Sequence, residues 1–146
     1  MDILIKQALK FVGTPYLWGG KHPSQGGLDC SGFTHILGRS VGLFVPGAMT
    51  AQAQYEWLSN APGTKIATLK PGSFLFYGKS VREITHVSFA ISPYQIVESG
   101  GGDSAFTKVD GLQQATKNAG VRIRLIAARK DVVAQLYPNY SQIGLI

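Results

Sequence analysis

The sequence predicts an α+β domain in which helices come first and an antiparallel sheet follows. Two observations carry this. Apolar residues recur at helical spacing as far as Leu58, and after Pro71-Gly72 they fall into short β-branched and aromatic runs bounded by turn formers. Elements segregated in this way do not fit the alternating order of a doubly wound parallel fold. The 18 Gly and 7 Pro among 146 residues suit a turn-rich domain of this kind.

The first helix starts at Asp2, read as its N-cap. It carries Ile3, Leu4, Ile5, Ala8, Leu9, Phe11 and Val12 before Gly13-Thr14-Pro15 ends it. A glycine-rich loop runs from Tyr16 to Asp29. The second helix begins at Cys30, shows Phe33, Ile36, Leu37 and Val41 on one face, and closes at Gly42. Thr50 caps a third helix that Asn60-Ala61-Pro62-Gly63 stops. Strands are expected over 73–77, 86–91, 94–98 and 120–126, with a loop at Gly100-Gly101-Gly102-Asp103 and a short helix over 130–136.

Composition narrows the function classes. The length suits one domain spanning 1–146, and 45% hydrophobic against 15% charged residues excludes intrinsic disorder. Apolar runs such as Phe74-Leu75-Phe76-Tyr77 are too short to cross a bilayer as a helix, so no membrane insertion is expected. A single cysteine excludes an intramolecular disulfide framework and any cysteine-cluster metal site. The net charge of +6 favours anionic partners, and cell-wall polymers are among them. The basic residues are scattered, with only a loose group at Arg122, Arg124, Arg129 and Lys130, which argues against nucleic acid. Residues 1–13 contain Asp2, Lys6 and Lys10 and do not form a secretory signal.

Cys30 stands where the glycine-rich loop becomes a helix. Unpaired backbone N–H groups and the positive end of the helix dipole favour a thiolate there. A small buried hydrophobe facing the core is the plainer reading of the same residue. A nucleophilic thiol needs a base. His35 lies five residues on, ~140° around the helix axis, and points away. His22 is in a loop with nothing to hold it. His86 opens a strand in which Val87, Phe89 and Ile91 face the core, while His86, Ser88 and Ala90 face the other side. If a three-residue turn around Ser92 returns the chain, Glu98 comes directly opposite His86 and can orient its imidazole. Gln95 and Asp103 are the substitutes. His86 and Glu98 also read as ordinary exposed strand residues.

With these residues in hand, the chain resembles the NlpC/P60 family of cysteine peptidases. The resemblance rests on four ordered motifs: Gly13-Thr14-Pro15-Tyr16-Leu17-Trp18-Gly19-Gly20, Leu28-Asp29-Cys30-Ser31-Gly32-Phe33, Pro71-Gly72-Ser73-Phe74 and His86-Val87-Ser88-Phe89-Ala90-Ile91. It covers about residues 2–99. It implies a papain-like core and hydrolysis of bacterial peptidoglycan stem peptides, typically between D-glutamyl and a diamino acid. On that basis Cys30 is the nucleophile and His86 the base and then the acid. The Tyr16 hydroxyl helps hold the oxyanion, and Asp29 and Ser31 hold the free amine and polar groups of the stem peptide. No cofactor or metal is required. The family usually has His, Asn or Gln where this chain has Glu98, and residues 100–146 match no quoted motif.

Competing readings are an amidase or acyltransferase built on the same core, and a non-catalytic wall-binding or structural part of a phage tail or secretion apparatus. A free-standing domain of this kind suggests delivery to the cell wall by a phage or secretion machine, or excision from a larger exported protein. An injected hydrolase would need an immunity partner. Trp18, Trp57, Tyr55 and the phenylalanines are read as core or cleft wall before they are read as a sugar-stacking surface.

Overall fold

The computed structural model describes residues 1–44, 49–101 and 119–145. Its helices are α1 (Asp2–Lys10), α2 (Cys30–Arg39) and α3 (Ala51–Asn60). A hairpin of two very short strands, β1 (Lys21–His22) and β2 (Gly27–Leu28), is folded into the loop before α2. The main sheet contains β3 (Lys65–Ile66), β4 (Phe74–Gly78), β5 (Ile84–Ala90), β6 (Gln95–Gly100), β7 (Gly120–Leu125) and β8 (Val132–Tyr137). Its six strands lie in the order β3-β8-β4-β5-β6-β7, with every pair antiparallel. The expected α+β architecture is therefore present.

Local signals account for the helix starts. Asp29 caps α2 by accepting from the Gly32 N–H at 2.7 Å, and Thr50 caps α3 by accepting from Ala53 N–H at 3.1 Å. The expected cap at Asp2 is corrected. Met1 holds the N-cap position without a side-chain bond, and Asp2 sits in the first turn. There its charge still faces the unpaired N–H groups of the helix end. Gly13, at φ +96°, turns the chain away from α1, a conformation that a side chain would strain.

The expected helix over 130–136 is also corrected, because this segment forms β8. Val132, Val133, Leu136 and Tyr137 fit a strand as well as a helical turn. The free edge of β4 decides between them. Phe74 pairs with Leu136 and Phe76 with Ala134, so β8 satisfies the backbone of β4 on the side away from β5.

The core lies between the helices and one face of the sheet. Leu4 and Ala8 of α1, Phe33 and Leu37 of α2, and Leu58 of α3 pack against a sheet surface that includes Phe74, Phe76, Phe89 and Val97. Each fully buried Leu or Phe contributes roughly 1.5–3 kcal/mol, enough to hold α2 rigidly on the sheet. The opposite face carries a smaller cluster of Leu75, Tyr77, Ala90 and Ile96. It is partly covered by Leu69, Ile126 and Val132. Ser88 and Tyr77 share a 2.7 Å hydrogen bond on that side. β5 is thus buried on both faces over most of its length.

Candidate active site

The loop before α2 is closed by contacts that only glycine permits. A Cβ on Gly32 would collide with the Gly20 carbonyl, and one on Gly20 would collide with the Gly27 carbonyl. The backbone is thereby drawn against the first turn of α2. Cys30 becomes its first residue, half-buried, with Sγ 4.0 Å from the Thr85 carbonyl oxygen at the start of β5. Two buried or bridging amides brace this corner. Gln54 of α3 donates to the Ser31 carbonyl at 2.8 Å and accepts from the Thr34 hydroxyl at 2.7 Å. Gln52 accepts from the Ile84 N–H at 2.8 Å and donates to the Val81 carbonyl at 2.8 Å. The helix that starts at Cys30 and the strand that carries His86 are therefore tied through α3.

His86, almost wholly buried on β5, lies between Cys30 and Glu98. Its Nε2 is 2.7 Å from Glu98 Oε1, and the Cys30 side chain is near enough to act on its charge. With Nε2 engaged by Glu98, Nδ1 is left for the sulfur. The Tyr77 ring lies 5.1 Å from the imidazole, centre to centre, and limits its tilt. The contact between His86 and Glu98 is the expected one, but the expected direct opposition is corrected. Phe89 pairs with Val97 and Ala90 with Ile96, so the strands turn about Pro93 rather than Ser92. That moves the register by two residues, keeps both side chains on one face, and makes the contact diagonal.

Glu98 is only 1% exposed and has a second partner. Arg122, opposite it on β7, donates to Oε2 from Nε at 3.2 Å and from Nη2 at 3.1 Å. Arg124 Nη1 lies 3.6 Å from the same oxygen. Burial alone would raise the Glu98 pKa, yet His86 and Arg122 overcome it and hold the carboxyl down at about 2. Burial alone would lower the pKa of His86, but hydrogen bonds and charge from Cys30 and Glu98 raise it to about 9. The site therefore keeps a carboxylate and an imidazolium at neutral pH.

Tyr16, Asp29 and Ser31 line the same cleft as Cys30 and His86, a volume of about 420 Å³. Tyr16 is buried against β2 through a bridge with Leu28. Asp29 and Ser31 are already engaged. Lys21 Nζ lies 3.0 and 2.8 Å from the two Asp29 oxygens and 2.7 Å from Ser31 Oγ. Trp18 is half exposed on the cleft wall, whereas Tyr55 and the phenylalanines Phe11, Phe33, Phe44, Phe74, Phe76 and Phe89 pack in or against the core.

The remaining candidates fall elsewhere. Gln95 is exposed at the start of β6 and pairs with Leu125. His22 is exposed and bonded to Ser24 at 2.8 Å. His35 is buried and stacked on Phe44. Asp103 and Gly102 lie outside the described residues. Among the described residues, no group of three His, Cys, Asp or Glu side chains is arranged to hold a metal. A larger apolar groove of about 700 Å³ contains Met49, Trp57 and Pro138, and among its described residues neither His nor Cys.

Lys21, Gln52, Gln54 and Arg122 were not singled out as site residues from the sequence. Arg122 drew notice only as part of a basic group, since nothing local aligns it with Glu98. The alternation of Arg122 and Arg124 along β7 is the one signal that marks them as sharing a face.

Comparisons with known proteins extend the match beyond the quoted motifs. The sequence profile of the NlpC/P60 family matches residues 13–125. Protein P54 of Enterococcus faecium is 36% identical over 104 residues, covering 66% of this chain and 17% of its own length. The bifunctional muramidase/DL-endopeptidase CwlT of Bacillus subtilis (strain 168) is 35% identical over 92 residues, covering 62% and 26%. This chain thus spans about a sixth to a quarter of the length of these relatives. The crystal structure of the NlpC/p60 domain of peptidoglycan hydrolase SagA superposes with a TM-score of 0.64 at 25% identity, covering 92% of this chain and 96% of that domain. With the profile matching most of its length and the fold shared across a whole solved domain, the chain belongs to the NlpC/P60 family.

Proposed function

We propose that the chain is a cysteine peptidase acting on the stem peptides of bacterial peptidoglycan, at the bond between D-glutamyl and a diamino acid. The observation that carries this reading is the placement of His86 between the Cys30 thiol and the buried Glu98 carboxylate. The substrate class is supported by the relatives, since CwlT is named a DL-endopeptidase and SagA a peptidoglycan hydrolase.

In this reading the Cys30 thiolate attacks the carbonyl carbon and forms a C–S bond. The Cys30 backbone N–H, free at the helix start, and the Tyr16 hydroxyl stabilise the developing oxyanion. As the C–N bond breaks, the imidazolium of His86 gives its proton to the departing amine, leaving a thioester. Neutral His86 then takes a proton from water, which attacks the thioester carbonyl; the C–S bond breaks, the carboxylic acid leaves, and the Cys30 thiolate and His86 imidazolium are restored. Glu98 accepts from Nε2 throughout and holds the ring with Nδ1 toward sulfur.

The test is digestion of purified peptidoglycan by the wild type and by Cys30→Ala, with soluble products read by mass spectrometry. Fragments from the wild type alone, with new D-glutamyl carboxylates and new diamino-acid amines, support the proposal. Thiol alkylation should abolish their formation and a chelator should leave it intact. Equal digestion by both proteins would remove Cys30 as nucleophile.

A further inference from the structure

The Lys21 ammonium occupies an acidic seat beside the nucleophile. Asp29 Oδ1 accepts from Gly32 N–H at 2.7 Å, Ser31 Oγ at 3.2 Å and Lys21 Nζ at 3.0 Å, while Oδ2 accepts from Lys21 at 2.8 Å. Ser31 Oγ also receives Lys21 Nζ at 2.7 Å. The lysine is held from its backbone as well. Its N–H donates to Gln25 Oε1 at 2.7 Å, and β1 pairs it with Leu28, one residue before Asp29. The pair is largely withdrawn from water, with side-chain exposures of 28% for Lys21 and 13% for Asp29. An ammonium tethered this way competes with any ligand amine as an intramolecular partner, at high effective concentration.

Among the described residues, the rest of the cleft offers no second seat for a cation. Its described lining contains two carboxylates, Asp29 and Glu98, and Glu98 is taken by His86 and Arg122. Against them stand Lys21, Arg122, Arg124 and Arg129. A ligand bearing a free amine beside Asp29 meets like charge and would have to displace Lys21. A ligand with a neutral amide there meets a donor already in position.

We infer that Lys21 makes the cleft selective for stem peptides whose amino terminus is acylated, as it is while the peptide remains attached to the glycan strand, over free peptides with a terminal amine. This rests on the proposed peptidase function and places the reaction before any step that hydrolyses the amide between glycan and stem peptide. It also means that the amine-holding role implied for Asp29 and Ser31 is filled in this chain by its own lysine.

The experiment uses L-Ala-γ-D-Glu-L-Lys-D-Ala with a free amino terminus and the same peptide N-acetylated. The wild type should show kcat/KM at least about tenfold higher for the acetylated peptide, a difference of ~1.4 kcal/mol. Lys21→Met should narrow the ratio to within about threefold, mainly through a lower KM for the free-amine peptide. Lys21→Arg, which keeps the charge, should retain the preference, and thermal unfolding of both variants identifies loss of fold. Equal rates on the two peptides or preference for the free amine in the wild type would overturn the inference, as would an equal effect of Lys21→Met on both. Calorimetric binding of each peptide to Cys30→Ala separates this from failure of the peptidase reading. Preferential binding of the acetylated peptide without turnover by the wild type would reject the peptidase and keep the selectivity. Preferential binding of the free-amine peptide, or binding of neither, would reject the selectivity.

Discussion

Glu98 meets His86 diagonally across β5 and β6, with 2.7 Å between Oε1 and Nε2, although Ser88 is the residue in line with it. The diagonal reach leaves Oε2 free to accept from Arg122. One carboxylate thus orients the imidazole and is itself oriented from the next strand. A neutral third residue would accept from His86 without a charge, whereas Glu98 adds electrostatic support for the imidazolium.

Replacing that charge should separate orientation from electrostatics. Glu98→Gln retains an oxygen acceptor, and its activity should survive at a reduced level. The alkaline limb of kcat/KM should move below its wild-type position near pH 9, because the support for protonated His86 is reduced. Glu98→Ala should lose both contributions, with a further decrease of about 10²-fold. An unchanged alkaline limb in Glu98→Gln would mean that Glu98 does not support the imidazolium.

The same shifts predict how stability follows pH. The His86 pKa is raised from 6.5 to about 9, so its contribution is full below pH 6.5 and is lost as pH rises through 9. The Glu98 pKa is lowered from 4.5 to about 2, so its contribution is full above pH 4.5 and is lost as pH falls through 2. Both shifts include the one His86–Glu98 contact, which counts once. Thermal unfolding across pH should show a plateau between these limits, and Glu98→Gln should flatten the decline on each side.

Arg122 should matter through Glu98. In Arg122→Met the buried carboxylate loses two charge-assisted hydrogen bonds, and stability should fall by about 1–3 kcal/mol. Arg122→Lys should recover part of that loss, but not the paired geometry. Denaturant unfolding provides the measurement. A loss equal to that of an exposed β7 substitution such as Ile123→Thr would show that the ion pair adds little.

Gln54 is the brace to remove. It is fully buried, and its amide links α3 to the first turn of α2. Gln54→Leu removes the hydrogen bonds to the Ser31 carbonyl and from the Thr34 hydroxyl, which still has the Cys30 carbonyl at 3.2 Å, and the two lost bonds should cost about 1–3 kcal/mol. The cysteine's alkylation rate, followed with iodoacetamide, should change with it. An unaltered rate in a destabilised Gln54→Leu protein would separate the brace from the thiol's setting.

What the sequence determined by itself was local or periodic. The run Asp29-Cys30-Ser31-Gly32 contains its own cap, so the position of Cys30 at a helix start was readable. The alternation along β5 put His86 on the face opposite Val87 and Phe89, and Glu98 shares that face because a two-residue change of register preserves parity. Tertiary structure decided the remainder. The edge of β4 turned 132–137 into a strand, for which the apolar pattern alone was ambiguous. Lys21 reached Asp29 through a closed hairpin, and Arg122 reached Glu98 across β6 and β7. Each such contact depends on where a loop brings two distant segments together, and neither residue propensity nor hydrophobic period encodes that distance.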